Sequence, residues 1–236
     1  GQIMEVLETT RQLDNTIIIF VSDHGDMLGE RGLWFKMSFF EGSARVPLMM
    51  AGPGIAPGLY TAPVSSLDVT PTVADLASIS MDEVAPWTDG MSLCGMLAGK
   101  ARTEPVLMEY AAEGSYAPLV CIREGKWKYT YCTLDPEQLF DLDADPRELT
   151  NLATDPACAD QLEAFRAQRT ARWDLKAFDS AVRESQARRW IVYEALRNGS
   201  YFPWDYQPLQ KASERYMRNH MDLNELEDKQ RFPRGE

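Results

Sequence analysis

Long apolar runs are missing from this chain. The longest near the start, Thr16 to Val21, falls far short of the roughly 20 residues a membrane helix needs, which excludes a membrane partner on that evidence. Basic residues are also in short supply, with 24 Lys and Arg against 36 Asp and Glu for a formal net charge of −12. Such a balance repels phosphate backbones and argues against nucleic acid as a partner. It favours cationic ligands, although an acidic surface also serves solubility alone. Cysteine is sparse and scattered: Cys94, Cys121, Cys132 and Cys158 contain no C-x-x-C pair, so neither a zinc site nor a disulfide framework is expected. Reduced thiols in a cytoplasmic protein are the corresponding expectation. Gly1 is not an initiator Met and no signal segment follows it, which leaves no sign of export. Internal repeats and low-complexity tracts are absent as well.

What is present reads as α/β. Gln2 to Arg11 has Ile3, Val6 and Leu7 on one helical face. Leu13-Asp14-Asn15 breaks that helix, and the β-branched run to Val21 then predicts a strand buried on both faces of a parallel sheet. A helix feeding such a strand implies an α/β domain with earlier elements upstream. Val46 to Ala51 is a second strand candidate, and Asp68 a cap for a helix through Val73, Leu76 and Ile79. Short strands follow at Pro105–Tyr110, Leu119–Arg123, Lys126–Tyr131 and Gln138–Leu142, with a hairpin turn at Glu124-Gly125. They predict a small antiparallel sheet beside the main one. From Pro156 to about Asn198 the pattern is helical, with Leu162, Phe165, Trp173, Phe178 and Val182 available for burial. An aromatic, proline-interrupted tail comes last. The expected division is 1–104, 105–200 and 201–236.

Chemistry concentrates at the end of the first strand. Ser22-Asp23-His24-Gly25-Asp26 stands where open α/β sheets collect ligands and catalytic groups. A carboxylate beside an imidazole can offer two metal ligands to one point, although two residues form a weak signature and a solvated strand-exit loop is equally open. Lys36 lies among Trp34, Phe35, Phe39 and Phe40, so burial of at least its stem is expected. A buried ammonium needs an anion, either Glu41 or a bound oxyanion. Arg45 reads as a structural tie between loop and strand.

Asp23-His24-Gly25, Leu28 to Trp34, Lys36, Glu41-Gly42 and Arg45-Val46-Pro47 together resemble a signature region of the sulfatases, in the alkaline-phosphatase-like superfamily. Asp68-Val69-Thr70-Pro71-Thr72 resembles the family's helix start. Gln138 to Pro146, with Glu148-Leu149-Thr150-Asn151-Leu152, resembles its C-terminal element. The resemblance spans about Thr16 to Leu152. It implies the C-terminal part of an alkaline-phosphatase-like sandwich sheet, a smaller α+β subdomain with the antiparallel sheet, and an extended tail.

It implies chemistry too. Asp23 and His24 match metal-ligand positions for one divalent ion, with Ca²⁺ favoured and Mn²⁺ the alternative. His24 stands where many arylsulfatases carry Asn, and imidazole suits Ca²⁺ poorly. Lys36 matches a catalytic, substrate-contacting lysine. The formylglycine nucleophile of the family arises in a C-x-P-x-R motif, which none of the four cysteines carries; it is expected upstream, and the chain alone is expected to be inactive. The tail and the region around Lys36 resemble sulfatases that act on choline O-sulfate. A quaternary ammonium is held by aromatic faces and diffuse negative charge, and Glu109, Trp204, Tyr206 and Asp222 are the candidates. A long aromatic tail also predicts a homo-oligomer built through tail exchange. The alternatives are a phosphodiesterase or phosphonate monoester hydrolase of the same superfamily, and a non-catalytic choline-binding or assembly module.

Overall fold

The structure is a computed structural model and describes residues 1–197. In chain order its helices and strands are α1 (Gln2–Thr9), β1 (Ile18–Val21), α2 (Glu41–Ala44), β2 (Leu48–Ala51), α3 (Val69–Leu76), α4 (Met81–Val84), α5 (Cys94–Leu97), β3 (Val106–Tyr110), β4 (Leu119–Glu124), β5 (Trp127–Cys132), β6 (Gln138–Asp141), α6 (Ala159–Arg172) and α7 (Leu175–Arg197). Residues 1–182 form one compact unit, and a second begins at Arg183. No helix among the described residues is long and apolar enough to cross a membrane.

β1 forms where the β-branched run places it, but its surroundings differ from the expectation. It pairs antiparallel with β2, Ile18 opposite Ala51 and Val21 opposite Leu48, and Phe20 and Met49 are both more than half exposed. An unbroken apolar run records only that apolar neighbours suit both faces; it carries neither the direction of the partner strand nor which residues supply the cover.

The second sheet has the order β3-β4-β5-β6, antiparallel throughout. Glu124 faces Trp127 across a two-residue turn. Gly125 takes a φ of 54° there, the left-handed conformation such hairpin turns require. α6 lies on this sheet and carries Leu162 and Phe165 into a core with Ile122, Tyr129 and Leu139. Phe165 stacks on Tyr129, centroids 5.6 Å apart and planes 3° from parallel. The helical stretch predicted from Pro156 consists of two helices divided at Trp173-Asp174, where the Asp174 carboxylate accepts the Ala177 N–H at 2.9 Å and starts α7. Local capping chemistry outcompetes helix continuation at that point.

Asp68 stands at the start of α3 as expected, but its carboxylate does not cap that helix. It accepts the N–H groups of Ser65 at 2.7 Å and Met91 at 2.8 Å and pairs with Arg102 at 2.8 Å. Thr72 then receives the Leu93 N–H, so the helix start is fastened to the chain about twenty residues on.

All four cysteines are free thiols, with Cys121 and Cys132 buried. Burial pushes the Cys121 thiol up to about 11, which removes its thiolate at neutral pH. Alkylation of the native protein at pH 8, read by peptide mass spectrometry, is expected to leave Cys121 and Cys132 unmodified until denaturant is added. Rapid native labelling of Cys121 would contradict this packing.

Candidate active site

The loop leaving β1 is organised by its own short polar side chains. Asp23 Oδ1 accepts the His24 N–H at 2.9 Å, and Ser22 Oγ donates to the His24 carbonyl at 2.9 Å. That backbone N–H of His24 holds the Asp23 carboxyl below the usual carboxylate range, so an exposed, ionised carboxylate is displayed at the strand end. His24 Nδ1 lies 2.8 Å from the Gly25 carbonyl oxygen. A carbonyl can only accept, so Nδ1 is the donor in this contact. Nε2 lies 3.3 Å from Asp23 Oδ2. The carboxylate and the imidazole therefore stand side by side at the strand end.

This donor set fits part of a metal shell. One carboxylate and one neutral imidazole suit a borderline ion better than an all-oxygen shell would. Among the described residues no third His, Cys, Asp or Glu joins them, so the remaining ligands have to come from elsewhere.

Gly25 fixes how this loop meets α2. Its N–H donates to the Ser43 carbonyl at 2.8 Å. A Cβ at this position would sit 2.2 Å from the Gly42 carbonyl oxygen, a contact open only to glycine. Ser43, itself buried, donates its hydroxyl to the Lys36 carbonyl. The backbone of Lys36 and the turn carrying His24 therefore rest on the same four-residue helix.

The Lys36 side chain departs from the expectation of a buried stem. It is exposed, as are its neighbours Trp34 and Phe35, at 66% and 69%. Its ammonium forms no ion pair with another described residue. The segment is fixed through its main chain, by Met27 N–H to the Phe35 carbonyl and Gly29 N–H to the Leu33 carbonyl, and this leaves the aromatic side chains outside. Aromatic neighbours in sequence predict burial only where a packing partner lies opposite.

Glu41, one of the two candidate anions for Lys36, pairs instead with Lys128, Oε1 to Nζ 2.6 Å. Lys128 is 1% exposed and reaches Glu148 as well, at 2.9 Å. Glu148 Oε2 accepts the Glu41 N–H at 2.7 Å. Arg31 donates to the carbonyls of Arg147 and Glu148 and lies over the Phe40 ring at 4.1 Å. Arg31 thus ties this loop to the segment after β6. Lys128, Glu148 and Arg31 had no assigned part in the sequence reading. The available signal was a lysine within an otherwise apolar strand and an acidic residue held inside a recognised element.

Glu109, on β3, accepts the Trp173 indole N–H at 2.5 Å. It makes no hydrogen bond or ion pair with Asp23, His24 or Lys36. Trp204, Tyr206 and Asp222 lie outside the described residues.

The fold, with the acid–imidazole pair ending β1, defines a class. The family model described as "Sulfatase" matches residues 1–79, and that described as "Choline sulfatase enzyme C terminal" matches residues 180–232. The chain belongs to the sulfatase family, of the alkaline-phosphatase-like fold. More particularly, it is 73% identical over 239 residues to the choline-sulfatase of Rhizobium meliloti (strain 1021), across 100% of this chain and 47% of that protein. It is 38% identical over 169 residues to arylsulfatase K of Mus musculus, covering 66% of this chain and 30% of that one. The chain thus spans about half or less of the length of the curated relatives it matches. Among solved structures it resembles a 2-O GAG sulfatase (TM-score 0.61, 30% identity, 79% of this chain and 41% of that chain). It also resembles the phosphonate monoester hydrolase of Agrobacterium radiobacter (TM-score 0.61, 28% identity, 76% and 38%).

Proposed function

We propose that this chain is part of a cytoplasmic sulfuric ester hydrolase that cleaves choline O-sulfate to choline and sulfate. The observation that carries this reading is the 73% identity to a choline-sulfatase along the whole chain. The convergent Asp23–His24 pair at the end of β1 supports it, and the four free thiols agree with a reducing compartment.

In this reading Asp23 and His24 supply two ligands to one divalent ion, Ca²⁺ if the ligands from outside this chain are all oxygens and Mn²⁺ otherwise, with a formylglycine nucleophile provided outside this chain. Bound there, the ion supplies Lewis-acid polarisation of a sulfuryl oxygen. Ser22 and the Gly25 carbonyl orient the two ligands, and the Asp23 carboxylate stays ionised through its contact with the His24 N–H. Lys36 donates N–H to a sulfuryl oxygen as charge builds on it while the S–O bond opens. An exposed ammonium with no ion pair among the described residues suits that contact. Glu109, which accepts the Trp173 indole N–H, is the counter-ion this reading assigns to the trimethylammonium group; the other candidates, Trp204, Tyr206 and Asp222, lie outside the described residues. A homo-oligomer formed through the tail belongs to the same reading.

Lys36→Ala in the full-length protein is expected to lower kcat for choline O-sulfate more than about tenfold. Unchanged turnover would show that lysine to be structural. Steady-state comparison of choline O-sulfate, an aryl sulfate and a phosphonate monoester tests the substrate: the reading requires choline O-sulfate to have the highest kcat/KM. A preference for the phosphonate would move the chain to the hydrolase class it also resembles. Choline binding by calorimetry without hydrolysis of any ester would make it a binding module.

A further inference from the structure

The triad Glu41–Lys128–Glu148 forms no hydrogen bond or ion pair with Asp23, His24 or the Lys36 side chain among the described residues, yet it grips the helix on which their backbone rests. Lys128 stands on β5 opposite Arg123 and Phe140, and its side chain and that of Glu148 are 1% and 3% exposed. A buried ammonium is stable only when paired and hydrogen-bonded, and here its two acceptors come from different parts of the fold. Glu148 follows β6 and takes a left-handed φ of 55°. A non-glycine residue pays strain for that conformation and is held in it by its surroundings. Its carboxylate divides between Lys128 Nζ and the Glu41 main-chain N–H. Glu41 is the first residue of α2, and its own carboxylate returns to Lys128. The antiparallel sheet therefore holds α2 by main chain and side chain together.

From α2 two short connections lead to the site. Gly42 and Ser43 receive the Gly25 turn next to His24, and the Ser43 hydroxyl holds the Lys36 carbonyl. Neither Asp23 nor Lys36 has another anchor to the antiparallel sheet among the described residues. Resting on the assignment of Lys36 and His24 to the reaction, we propose that Lys128 and Glu148 are positioning residues for catalysis: the buried ion triad sets α2, and α2 sets the separation between the His24 turn and Lys36. Such a clamp acts on the transition state more than on substrate capture, because Lys36 contributes as charge develops while the ammonium end of the substrate is held elsewhere.

The test uses the full-length protein carrying Glu148→Gln, which keeps size but removes one charge and one of the two acceptor oxygens that Lys128 Nζ and the Glu41 N–H share. Asp141→Asn serves as the comparison, since the Lys126–Asp141 pair, at 2.6 Å, belongs to the same sheet and does not touch α2. For Glu148→Gln, kcat for choline O-sulfate is expected to fall about tenfold or more with KM changed less than about threefold. Amide exchange across residues 25–45 is expected to accelerate at least about tenfold. Asp141→Asn leaves both readouts at wild-type values. If Glu148→Gln does not fold, Glu41→Gln, altered at the more exposed end of the triad, is measured in the same way. Wild-type exchange across 25–45 overturns the proposal, and so does a loosened loop with wild-type kcat. If the unmutated protein hydrolyses no sulfate ester, the functional reading fails on its own, and the exchange measurement still decides whether the triad holds α2.

Discussion

Replacing Gly25 with alanine is expected to lower kcat of the full-length protein by roughly 10²-fold, the scale of loss that follows from about 1 Å of misplacement in a catalytic group. The new Cβ would fall 2.2 Å from the Gly42 carbonyl oxygen, 3.2 Å from its carbon and 3.5 Å from the Ser43 oxygen. All three are main-chain atoms, so no side-chain rotation relieves the contact. The turn has to part from α2, breaking the 2.8 Å bond from Gly25 N–H to the Ser43 carbonyl. His24 moves with the turn, because its Nδ1 is bonded to the Gly25 carbonyl, while Lys36 stays on Ser43. The two halves of the site would then separate with the core around Phe165 intact. Steady-state kinetics with circular dichroism checks this: folded protein with near-normal kcat would show that the approach of loop to helix has no bearing on turnover.

Phe165→Ala is expected to cost roughly 3–5 kcal/mol of stability, the range for emptying a packed aromatic site. Phe165 is fully buried on the inner face of α6, stacked on Tyr129 and surrounded by Ile122, Leu139 and Leu162. Tyr129 cannot follow a receding neighbour, since its hydroxyl receives Arg169 Nη1 at 3.2 Å and its main chain is bound on both sides in the sheet. The vacated volume would therefore persist as a cavity. Urea denaturation is the measurement, with the exposed Leu134→Ala as reference, for which a change within about 0.5 kcal/mol is expected. A Phe165→Ala loss below about 1 kcal/mol would mean that α6 collapses onto the sheet more freely than this packing allows.

Element positions were largely legible in the amino-acid order, because each rests on local periodicity. The antiparallel sheet follows from the two strand-forming runs Leu119–Glu124 and Trp127–Cys132 on either side of Gly125, which supplies the left-handed residue of the turn. α6 follows from the spacing of Leu162 and Phe165. Less could be read wherever the outcome depends on a distant partner. The Thr16–Val21 run pairs antiparallel with β2 and lies partly exposed, because apolar character does not encode strand direction. The aromatic cluster around Lys36 promised burial, yet main-chain hydrogen bonds in that loop turn Trp34 and Phe35 outward.

The order of residues by itself determined the family and the strand-end motif: an acid, an imidazole and a glycine after an apolar run constrain local chemistry wherever the chain folds. Only tertiary structure decided the charge pairing. Glu41 is five residues from Lys36 and 87 from Lys128, yet it binds the second, at 2.6 Å. Sequence proximity sets which charges can meet cheaply. Burial decides which must meet, because an ammonium enclosed in a sheet has to find its anions there, whereas one at the surface is satisfied by water.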